Sequence, residues 1–145
     1  MQITLREIQS SDSALLAETE RVCFSASWSK SAIDSVCARA DFCGVLAFIG
    51  EQAVGYLLGT SLFETAEVLR IAVLPAFRGN HYGGAILDSF LGLAQRKGAE
   101  RVFLEVREDN APAIKLYQSR GFLAGRTRKN YYEDGATAVE MYKDL

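Results

Sequence analysis

The segment VFLEVREDNAPAIKLYQSRGF, residues 102–122, changes its hydrophobic period part of the way along. Its first half alternates as a half-buried strand does, so Val102, Leu104 and Val106 should face one side of a sheet. Glu105 then faces the other side, where an unpaired buried carboxylate would be costly. The segment therefore raises the question of whether Glu105 pairs with a cation or borders a wet cleft.

The second half of the segment is typical of a helix that begins near Asn110. Asparagine is a favoured N-cap residue, and Pro112 fits the first helical turn, where its missing N–H would have no partner. Tyr117 follows Asn110 after close to two turns of about 3.6 residues, so both side chains should project from one face. A core tyrosine that packs against Leu116 and Phe122 fits the same spacing.

The N-terminal part of the chain predicts a strand followed by two helices. ITLREI alternates as the strand, and Ser11 or Asp12 can cap a helix that runs to about Cys23. Ser29 can cap a second, shorter helix. The apolar side of the first helix is predicted to consist of Leu15, Leu16 and Val22.

The remaining segments predict three strands, a helix, a strand, a helix and two strands. CGVLAFIG and AVGYLLGT flank the turn GEQ as a hairpin, and AEVLRIAVL predicts a strand that Pro75 ends. GGAILDSFLGLAQRK has the spacing of a helix that Gly98 ends. FLAGRTRKNYYE and ATAVEMYKD predict a last hairpin around Asp134-Gly135. We therefore expect residues 1–145 to form one mixed α/β domain, with helices covering a mostly antiparallel sheet.

Composition excludes several classes of protein. The chain has 145 residues, 49% of them hydrophobic and 23% charged, as in ordinary globular proteins. A formal net charge of −2 argues against a nucleic-acid binder. No apolar run approaches a membrane span, and the N-terminus lacks the apolar core of a signal peptide. We therefore expect a cytoplasmic monomer with neither nucleic acid nor membrane as a partner.

The cysteines do not indicate a metal or redox site. Cys23, Cys37 and Cys43 lack metal-type spacing, and the chain has one histidine to assist them. We interpret them as core thiols in a reducing cytosol and predict no metal site.

The segment VLPAFRGNHYGGAIL, residues 73–87, places a basic residue and several glycines where a helix begins. The first turn of a helix presents unpaired N–H groups and a positive dipole end, and glycines let a pyrophosphate approach the backbone. Arg78 adds a fixed positive charge. The segment lacks both the Lys-Ser/Thr of a P-loop and the GxGxxG of a dinucleotide site. An anion site and a plain strand-to-helix turn both remain open on this segment alone.

Four segments together resemble the GNAT acetyltransferases. IAVLPAFRGNHYGGAIL (71–87) is similar to the family's coenzyme-A pyrophosphate loop, Arg/Gln-x-x-Gly-x-Gly/Ala, and LEVREDNAPAIKLYQSRGF (104–122) to the next strand and helix. CFSASWS (23–29) and RKNYYEDG (128–135) resemble the RimI-like branch, whose members acetylate the N-terminal alanine of a ribosomal protein. The resemblance implies the GNAT fold, a sheet splayed at its centre with helices on both faces, and acetyl-CoA as co-substrate.

The same resemblance assigns the coenzyme contacts. The pantetheine arm should pair like an extra strand with the exposed edge of the fourth strand, and Asn110 should contact that arm besides capping its helix. The strand edge is supplied by Ile71, Ala72 and Val73. The pyrophosphate should lie against Arg78, Gly79, Asn80, His81, Tyr82, Gly83 and Gly84.

One position departs from the family's pattern. Aligned on Arg78, the first glycine of the loop pattern falls on His81. If the backbone needs a positive φ there, a histidine is strained, although histidine tolerates this conformation better than most residues. We expect the loop to keep a backbone N–H toward the pyrophosphate while the ring points outward.

The resemblance implies catalytic roles for Glu105 and Tyr117. An α-amine, with a pKa of about 8, attacks only when neutral. Glu105 can take its proton, directly or through water, and Tyr117 can donate a proton or a hydrogen bond to the departing thiolate. The alternative for Glu105 is a structural salt bridge with Arg70 on the neighbouring strand.

Acceptor binding is assigned by resemblance to Trp28, Tyr131 and Tyr132. In similar enzymes the last hairpin closes over the first residues of a peptide. Adjacent residues of a regular strand face opposite sides, so only one of the two tyrosines should enter the cleft. Cross-strand packing against Met141 and Tyr142 is the alternative.

We therefore predict an enzyme that transfers acetyl from acetyl-CoA directly to the N-terminal α-amine of a protein, with a ribosomal protein as the implied acceptor. Two alternatives stay open. The same fold could act on a small-molecule amine or a lysine side chain, or the chain could be a non-catalytic acyl-CoA-binding module, which His81 in the loop keeps open.

Overall fold

A computed structural model describes residues 2–145, which form a seven-stranded sheet and four α-helices. The strands are β1 (Ile3–Glu7), β2 (Phe42–Ile49), β3 (Gln52–Leu62), β4 (Thr65–Val73), β5 (Arg101–Arg107), β6 (Leu123–Arg128) and β7 (Ala138–Asp144). The helices are α1 (Ser13–Cys23), α2 (Lys30–Cys37), α3 (Tyr82–Arg96) and α4 (Ala111–Ser119), with short 3-10 turns at Ser10–Asp12 and Pro75–Phe77. The predicted order of strands and helices is confirmed.

The sheet is open at its centre, between β4 and β5. Its strand order is β1-β2-β3-β4-β5-β7-β6, and all neighbours are antiparallel except β4 and β5. These two are parallel and pair over Thr65–Glu67 and Arg101–Phe103 alone within the described chain. Next to this pairing, Leu69 is an extra residue of β4 at a bulge. The predicted mostly antiparallel sheet, splayed at its centre, is confirmed.

Helices cover both faces of the sheet, as predicted. On one face, Phe90 of α3 and Tyr117 of α4 pack in a core that includes Val45 of β2. On the other face, Leu16 of α1 packs in a second core with Leu46 of β2. Val45 and Leu46 are adjacent, so the alternation of one strand supplies both cores.

Two helix boundaries follow the local signals in the sequence. Ser29 Oγ accepts a hydrogen bond of 3.1 Å from the Ala32 N–H, which confirms the predicted cap of α2. After α3, Gly98 adopts a φ of 101°, a left-handed conformation that ends the helix and favours glycine.

One prediction for α1 was right in position only, and another was wrong. Asp12 is the N-cap residue, as predicted, but its side chain makes no bond to the first turn, because its carboxylate accepts bonds from the Arg6 guanidinium and the Gln9 N–H instead. Val22 is 60% exposed and lies outside the core. The buried face of α1 instead includes Glu20, so a charged residue occupies a position where an apolar one was expected.

The last hairpin has a longer connection than the predicted Asp134-Gly135 turn. β6 ends at Arg128 and β7 begins at Ala138, so Tyr131 and Tyr132 lie in loop 129–137 and not on a strand. The expectation that strand alternation separates the two rings was therefore wrong. Cross-strand packing of these tyrosines against Met141 and Tyr142 was also wrong, since those β7 residues pair with Ala124 and Leu123.

Candidate active site

A cavity of about 570 Å³ lies where β4 leaves β5, between the end of β4, the start of α3 and the face of α4. Because β4 has no strand partner on this side beyond Glu67, its backbone groups there can pair with an extended ligand. We call this space the coenzyme cavity. Its lining comprises Phe24, Ile71, Ala72, Val73, Phe77, Arg78, Gly79, His81, Tyr82, Gly83, Gly84, Asn110, Pro112, Ala113, Leu116 and Tyr117.

The loop before α3 supplies the polar end of this cavity. The first-turn N–H groups of α3 have no partner within the helix, so they can bind an anion. Arg78 donates from Nε to the Val73 carbonyl at 2.9 Å, which holds its guanidinium against the end of β4. Asn80 does not line the cavity; its amide donates to the carbonyls of Phe77 and Arg78 and shapes the loop.

His81 is the N-cap residue of α3 and has a φ of 63°, in the left-handed region. The glycine-type backbone conformation is thus retained although glycine is absent. A non-glycine residue there costs roughly 1–2 kcal/mol. The side chain is exposed and makes no capping bond, which agrees with the expected outward direction of the ring.

Asn110 and Tyr117 line the same cavity from one face of α4, as their spacing predicted. Asn110 Oδ1 accepts a bond of 3.3 Å from the Ala113 N–H, so its capping role is confirmed. Tyr117 is 6% exposed and its ring packs on Phe122, with a centroid distance of 5.8 Å. Burial, with a smaller contribution from Tyr132, raises the pKa of Tyr117 to about 12, so its hydroxyl stays protonated at neutral pH.

Glu105 lines a second cavity, of about 360 Å³, and not the one that contains Tyr117. It lies just past the last residue of β5 that pairs with β4, on the side opposite the buried Leu104 and Val106. We call this space the acidic cavity. Its lining comprises Glu67, Phe103, Leu104, Glu105, Arg126, Arg128 and Glu140.

The Glu105 carboxylate is only weakly paired. Its Oε1 lies 3.8 Å from Arg128 Nη2, and its buried Oε2 has no hydrogen-bond partner within residues 2–145. The alternative of a salt bridge with Arg70 was wrong, because Arg70 pairs with Glu20. An unsatisfied buried carboxylate oxygen is costly in a purely structural role and suits a site that water or a ligand enters.

Two other carboxylates share the acidic cavity with Glu105. Glu140 lies directly opposite Glu105 in the β5–β7 register and 3.5 Å from Arg126. Burial and then the charge of Glu105 raise the pKa of Glu67. Three carboxylates against two arginines leave this cavity with an excess of negative charge, which attracts a cationic amine.

A buried polar cluster joins α1 to β4 on the same side of the sheet. Glu20 is fully buried and accepts from Arg70 at 3.1 and 2.6 Å, from the Trp28 N–H at 2.8 Å, and from the Tyr56 hydroxyl. The Arg70 guanidinium also lies 3.7 Å from the centroid of the Phe24 ring. The cluster therefore fixes the segment between α1 and α2, which carries Trp28.

The predicted acceptor residues do not line either cavity. Trp28 packs its ring 4.9 Å from the Arg70 guanidinium. Tyr131 and Tyr132 contact each other edge to face at 5.2 Å, and Tyr131 is 49% exposed. Burial and then the charge of Glu105 raise the pKa of Tyr132.

Sequence reasoning missed the Glu20–Arg70 pair and the aromatic wall that Phe24 and Phe77 add to the coenzyme cavity. Glu20 had a detectable signal, because it follows Ser13 and Leu16 at the spacing of one helical face. A charged residue at such a position predicts a buried ion pair, although the spacing does not name its partner.

Across residues 2–145, no group of three His, Cys, Asp or Glu side chains is placed to hold a metal ion, and no helix is long and apolar enough to cross a membrane. The three cysteines are free, and burial raises the pKa of Cys43 to about 11. A thiol with so high a pKa is a poor nucleophile at neutral pH.

The chain resembles known proteins in both sequence and fold. Residues 14–122 match the Acetyltransferase (GNAT) family. A Bacillus subtilis (strain 168) protein, provisionally named as a ribosomal protein bS18-alanine N-acetyltransferase, is 30% identical over 140 residues, which are 95% of this chain and 93% of that protein.

Two solved structures share the fold over nearly the whole chain. The ribosomal-protein-S18-alanine N-acetyltransferase from Escherichia coli has a TM-score of 0.92 at 24% identity, covering 99% of this chain and 94% of that one. NAA60 from Arabidopsis thaliana, in complex with acetyl-CoA, has a TM-score of 0.88 at 16% identity, covering 99% of each chain. The protein described here belongs to the GNAT family and is an acetyl-CoA-dependent N-acetyltransferase.

Proposed function

We propose that the chain acetylates the N-terminal α-amine of a protein, with a ribosomal protein as the first acceptor to test. The observation that carries the proposal is the opening between β4 and β5, which has Tyr117 in a cavity on one side and Glu105 in a cavity on the other. An amine that enters from the acidic cavity can meet a thioester held in the coenzyme cavity. The relationship to the Bacillus subtilis protein supports this acceptor class.

In this proposal, acetyl-CoA supplies the thioester that the amine attacks. The free edge of Ile71–Val73 pairs with the pantetheine arm, and the N–H groups at the start of α3, together with Arg78, bind the pyrophosphate. Gly79, with a φ of 81° and open space around its Cα, leaves room for that group. The residues present therefore fit the coenzyme.

Glu105 is the proposed base. The protonated amine is drawn toward the excess negative charge of the acidic cavity and must lose a proton before it attacks. Because Glu105 and Tyr117 line separate cavities, we favour transfer of the amine's proton through water. The unpartnered Oε2 of Glu105 can accept that proton. The new C–N bond then forms as the C–S bond breaks.

Tyr117 is the proposed donor to the departing sulfur. Its pKa of about 12 lies well above the value of about 8.5 for a thiol, so complete proton transfer to the thiolate is unfavourable. The phenol therefore acts by donating a hydrogen bond that strengthens as charge develops on sulfur. Because Tyr117 lines the coenzyme cavity, its hydroxyl is available to a thioester bound there.

The test is acetyl transfer measured by mass spectrometry with a matched panel of acceptors. The panel contains peptides with a free N-terminal alanine, and matched peptides whose N-terminus is blocked by a formyl group and whose available amine is a lysine side chain. Free amino acids and polyamines complete the panel. We expect acetylation of the free N-terminus alone. Transfer to lysine or to polyamines in preference to the N-terminus would overturn the proposed acceptor class.

A further inference from the structure

The Glu20–Arg70 pair holds one arginine in a defined orientation at the opening of the sheet. Arg70 Nε and Nη2 both bond Glu20, and Nη2 also lies 3.4 Å from the Ala26 carbonyl. Phe24 and Trp28 lie against the guanidinium at 3.7 and 4.9 Å. With two nitrogens bonded and two aromatic contacts, the guanidinium plane has little freedom to turn.

The third nitrogen, Nη1, is available to a ligand. It has no hydrogen-bond partner within residues 2–145. The buried polar atoms without a partner in these residues are Ser61 Oγ and Glu105 Oε2, so Nη1 is not buried. The Arg70 side chain as a whole is 20% exposed. Nη1 is therefore a donor that still contacts solvent.

Arg70 also lies between the two cavities. Along β4, Glu67 lines the acidic cavity and Ile71–Val73 line the coenzyme cavity, with Arg70 between them. Phe24, which packs on the guanidinium, belongs to the coenzyme cavity. Arg70 itself lines neither cavity, so the place where its Nη1 can meet a ligand is the opening between the two.

The charge of the pair indicates which ligand atom suits Nη1. The fully buried Glu20 carboxylate offsets the positive charge of Arg70, so the pair as a whole is close to neutral. A carboxylate of the ligand would lose its hydration here, and the nearly neutral pair offers no net positive charge to offset that cost. A carbonyl oxygen accepts a directed N–H bond and brings no charge, so it fits better.

We propose that Arg70 Nη1 donates a hydrogen bond to the first carbonyl of the acceptor peptide and so selects α-amines. In a peptide, that carbonyl is attached to the carbon that bears the reacting amine. A lysine ε-amine or an alkylamine has no carbonyl at this position. The inference rests on the proposed function, because it presumes a peptide acceptor, and it adds the residue that distinguishes α-amines from other amines.

The experiment compares two acceptors that differ at the first peptide bond, one with and one without its carbonyl and N–H. Arginine can only donate, so of these two groups Arg70 can bond only the carbonyl. The first acceptor is a tripeptide amide with N-terminal alanine, and the second is its (E)-alkene isostere, in which a carbon–carbon double bond replaces the first peptide bond. The measured quantity is kcat/KM for the tripeptide amide divided by kcat/KM for the alkene isostere. Comparing this ratio between the parent and each variant cancels the intrinsic difference in basicity between the two amines.

Removal of Arg70 alone would leave a buried carboxylate unpaired, so the main variant carries both Glu20→Gln and Arg70→Met. In Glu20 one oxygen accepts from the Trp28 N–H and the other from the Tyr56 hydroxyl. In a glutamine the amide oxygen can accept from the Trp28 N–H while the amide nitrogen donates to the Tyr56 hydroxyl oxygen. Arg70→Lys is the second variant, because one ammonium that pairs with Glu20 cannot also hold a planar N–H in place. Arg101→Met is the control, since its partner Asp144 is 64% exposed and Arg101 lies where β5 pairs with β4, away from the opening.

We expect the ratio to fall by roughly tenfold or more in both Arg70 variants, as for one hydrogen bond from a charged donor. The Arg101→Met ratio should equal that of the parent. Thermal unfolding and the Kd for acetyl-CoA verify that each variant is folded; if the double variant does not fold, Arg70→Lys decides the result.

An unchanged ratio in folded Arg70 variants would overturn this inference and leave the proposed function intact. Arg70 would then have only the structural role of joining β4 to α1. A parent enzyme that acetylates amines but neither of these two acceptors would overturn both together.

Discussion

In the proposed function, the two sides of the open sheet recognise their ligands by different means. The coenzyme side consists of one strand edge, one loop and one helix start, and it offers mostly backbone groups from residues 71–84. The proposed acceptor side consists of side chains from distant parts of the chain, such as Glu20, Arg70 and Glu105. Backbone groups survive most substitutions, whereas side chains do not. Single substitutions should therefore have larger effects on the acceptor side.

The largest effect is expected for Glu20→Ala. This change leaves Arg70 without its partner and removes a buried acceptor, so it should lower the free energy of unfolding by about 3 kcal/mol or more. Denaturant unfolding at neutral pH measures it. Asp144→Ala is the matched control, because it removes an exposed pair worth less than about 1 kcal/mol. Equal losses in the two variants would contradict the contrast between the two sides.

The same substitution has a defined pH dependence. Burial alone would raise the pKa of Glu20, but bonds from Arg70, Tyr56 and the Trp28 N–H outweigh it and hold the pKa below its ordinary value. The stabilisation is then present above the unfolded value of about 4.3 and is lost as pH falls through the folded pKa. The difference between the parent and Glu20→Ala should therefore shrink below about pH 4.

Glu105→Gln should lower kcat by on the order of 100-fold, because it keeps the shape of the side chain but removes its affinity for a proton. The Kd for acetyl-CoA should hardly change, since Glu105 does not line the coenzyme cavity. Glu140→Gln, directly opposite in the same cavity, is the control and should retain most of the activity. Near-normal turnover in folded Glu105→Gln would exclude Glu105 as the base, and a loss of folding would favour a structural pair with Arg128.

Tyr117→Phe should lower kcat by about tenfold, the value of one hydrogen bond, while the ring keeps its packing on Phe122. Since the pKa of Tyr117 is about 12, the hydroxyl is protonated across the working range. The loss should therefore be uniform from about pH 6 to pH 9, with no change in the shape of the rate profile. Tyr142→Phe, outside both cavities, should have no effect. Pre-steady-state kinetics should be used, and an unchanged chemical step would reduce Tyr117 to a packing residue.

The contrast between the two sides also explains what the sequence could predict. Strand alternation placed Glu105 opposite Leu104, and helix periodicity placed Asn110 and Tyr117 on one face, because both patterns are local. The predicted coenzyme loop is one contiguous segment, so a local pattern could name the residues of this loop that line the cavity, although Asn80 does not. Glu20 and Arg70 lie 50 positions apart, and no local pattern names such a partner.

The prediction for the loop between β6 and β7 was wrong for a related reason. Alternation predicts side-chain direction only while the strand continues, and here pairing stops at Arg128. Asn130 adopts a φ of 56°, and the Gly135 N–H bonds the Tyr132 carbonyl at 2.9 Å, so the loop has a turn structure of its own. The direction of Tyr132 follows from that turn and not from strand alternation.

The smallest effect is expected at His81, where the coenzyme side departs from its family's glycine. The backbone φ of 63° strains any residue with a Cβ, so His81→Ala should keep the strain and His81→Gly should relieve it. We expect the glycine variant to be more stable than the alanine variant by about 1 kcal/mol in denaturant unfolding. Both variants lose the ring, so their difference isolates the backbone. Calorimetric titration should give nearly the same Kd for acetyl-CoA in the parent and both variants, because the N–H groups of α3 remain in place. If the parent failed to bind and His81→Gly restored binding, the backbone would not be sufficient for coenzyme recognition, and the proposed contrast between the two sides would be wrong.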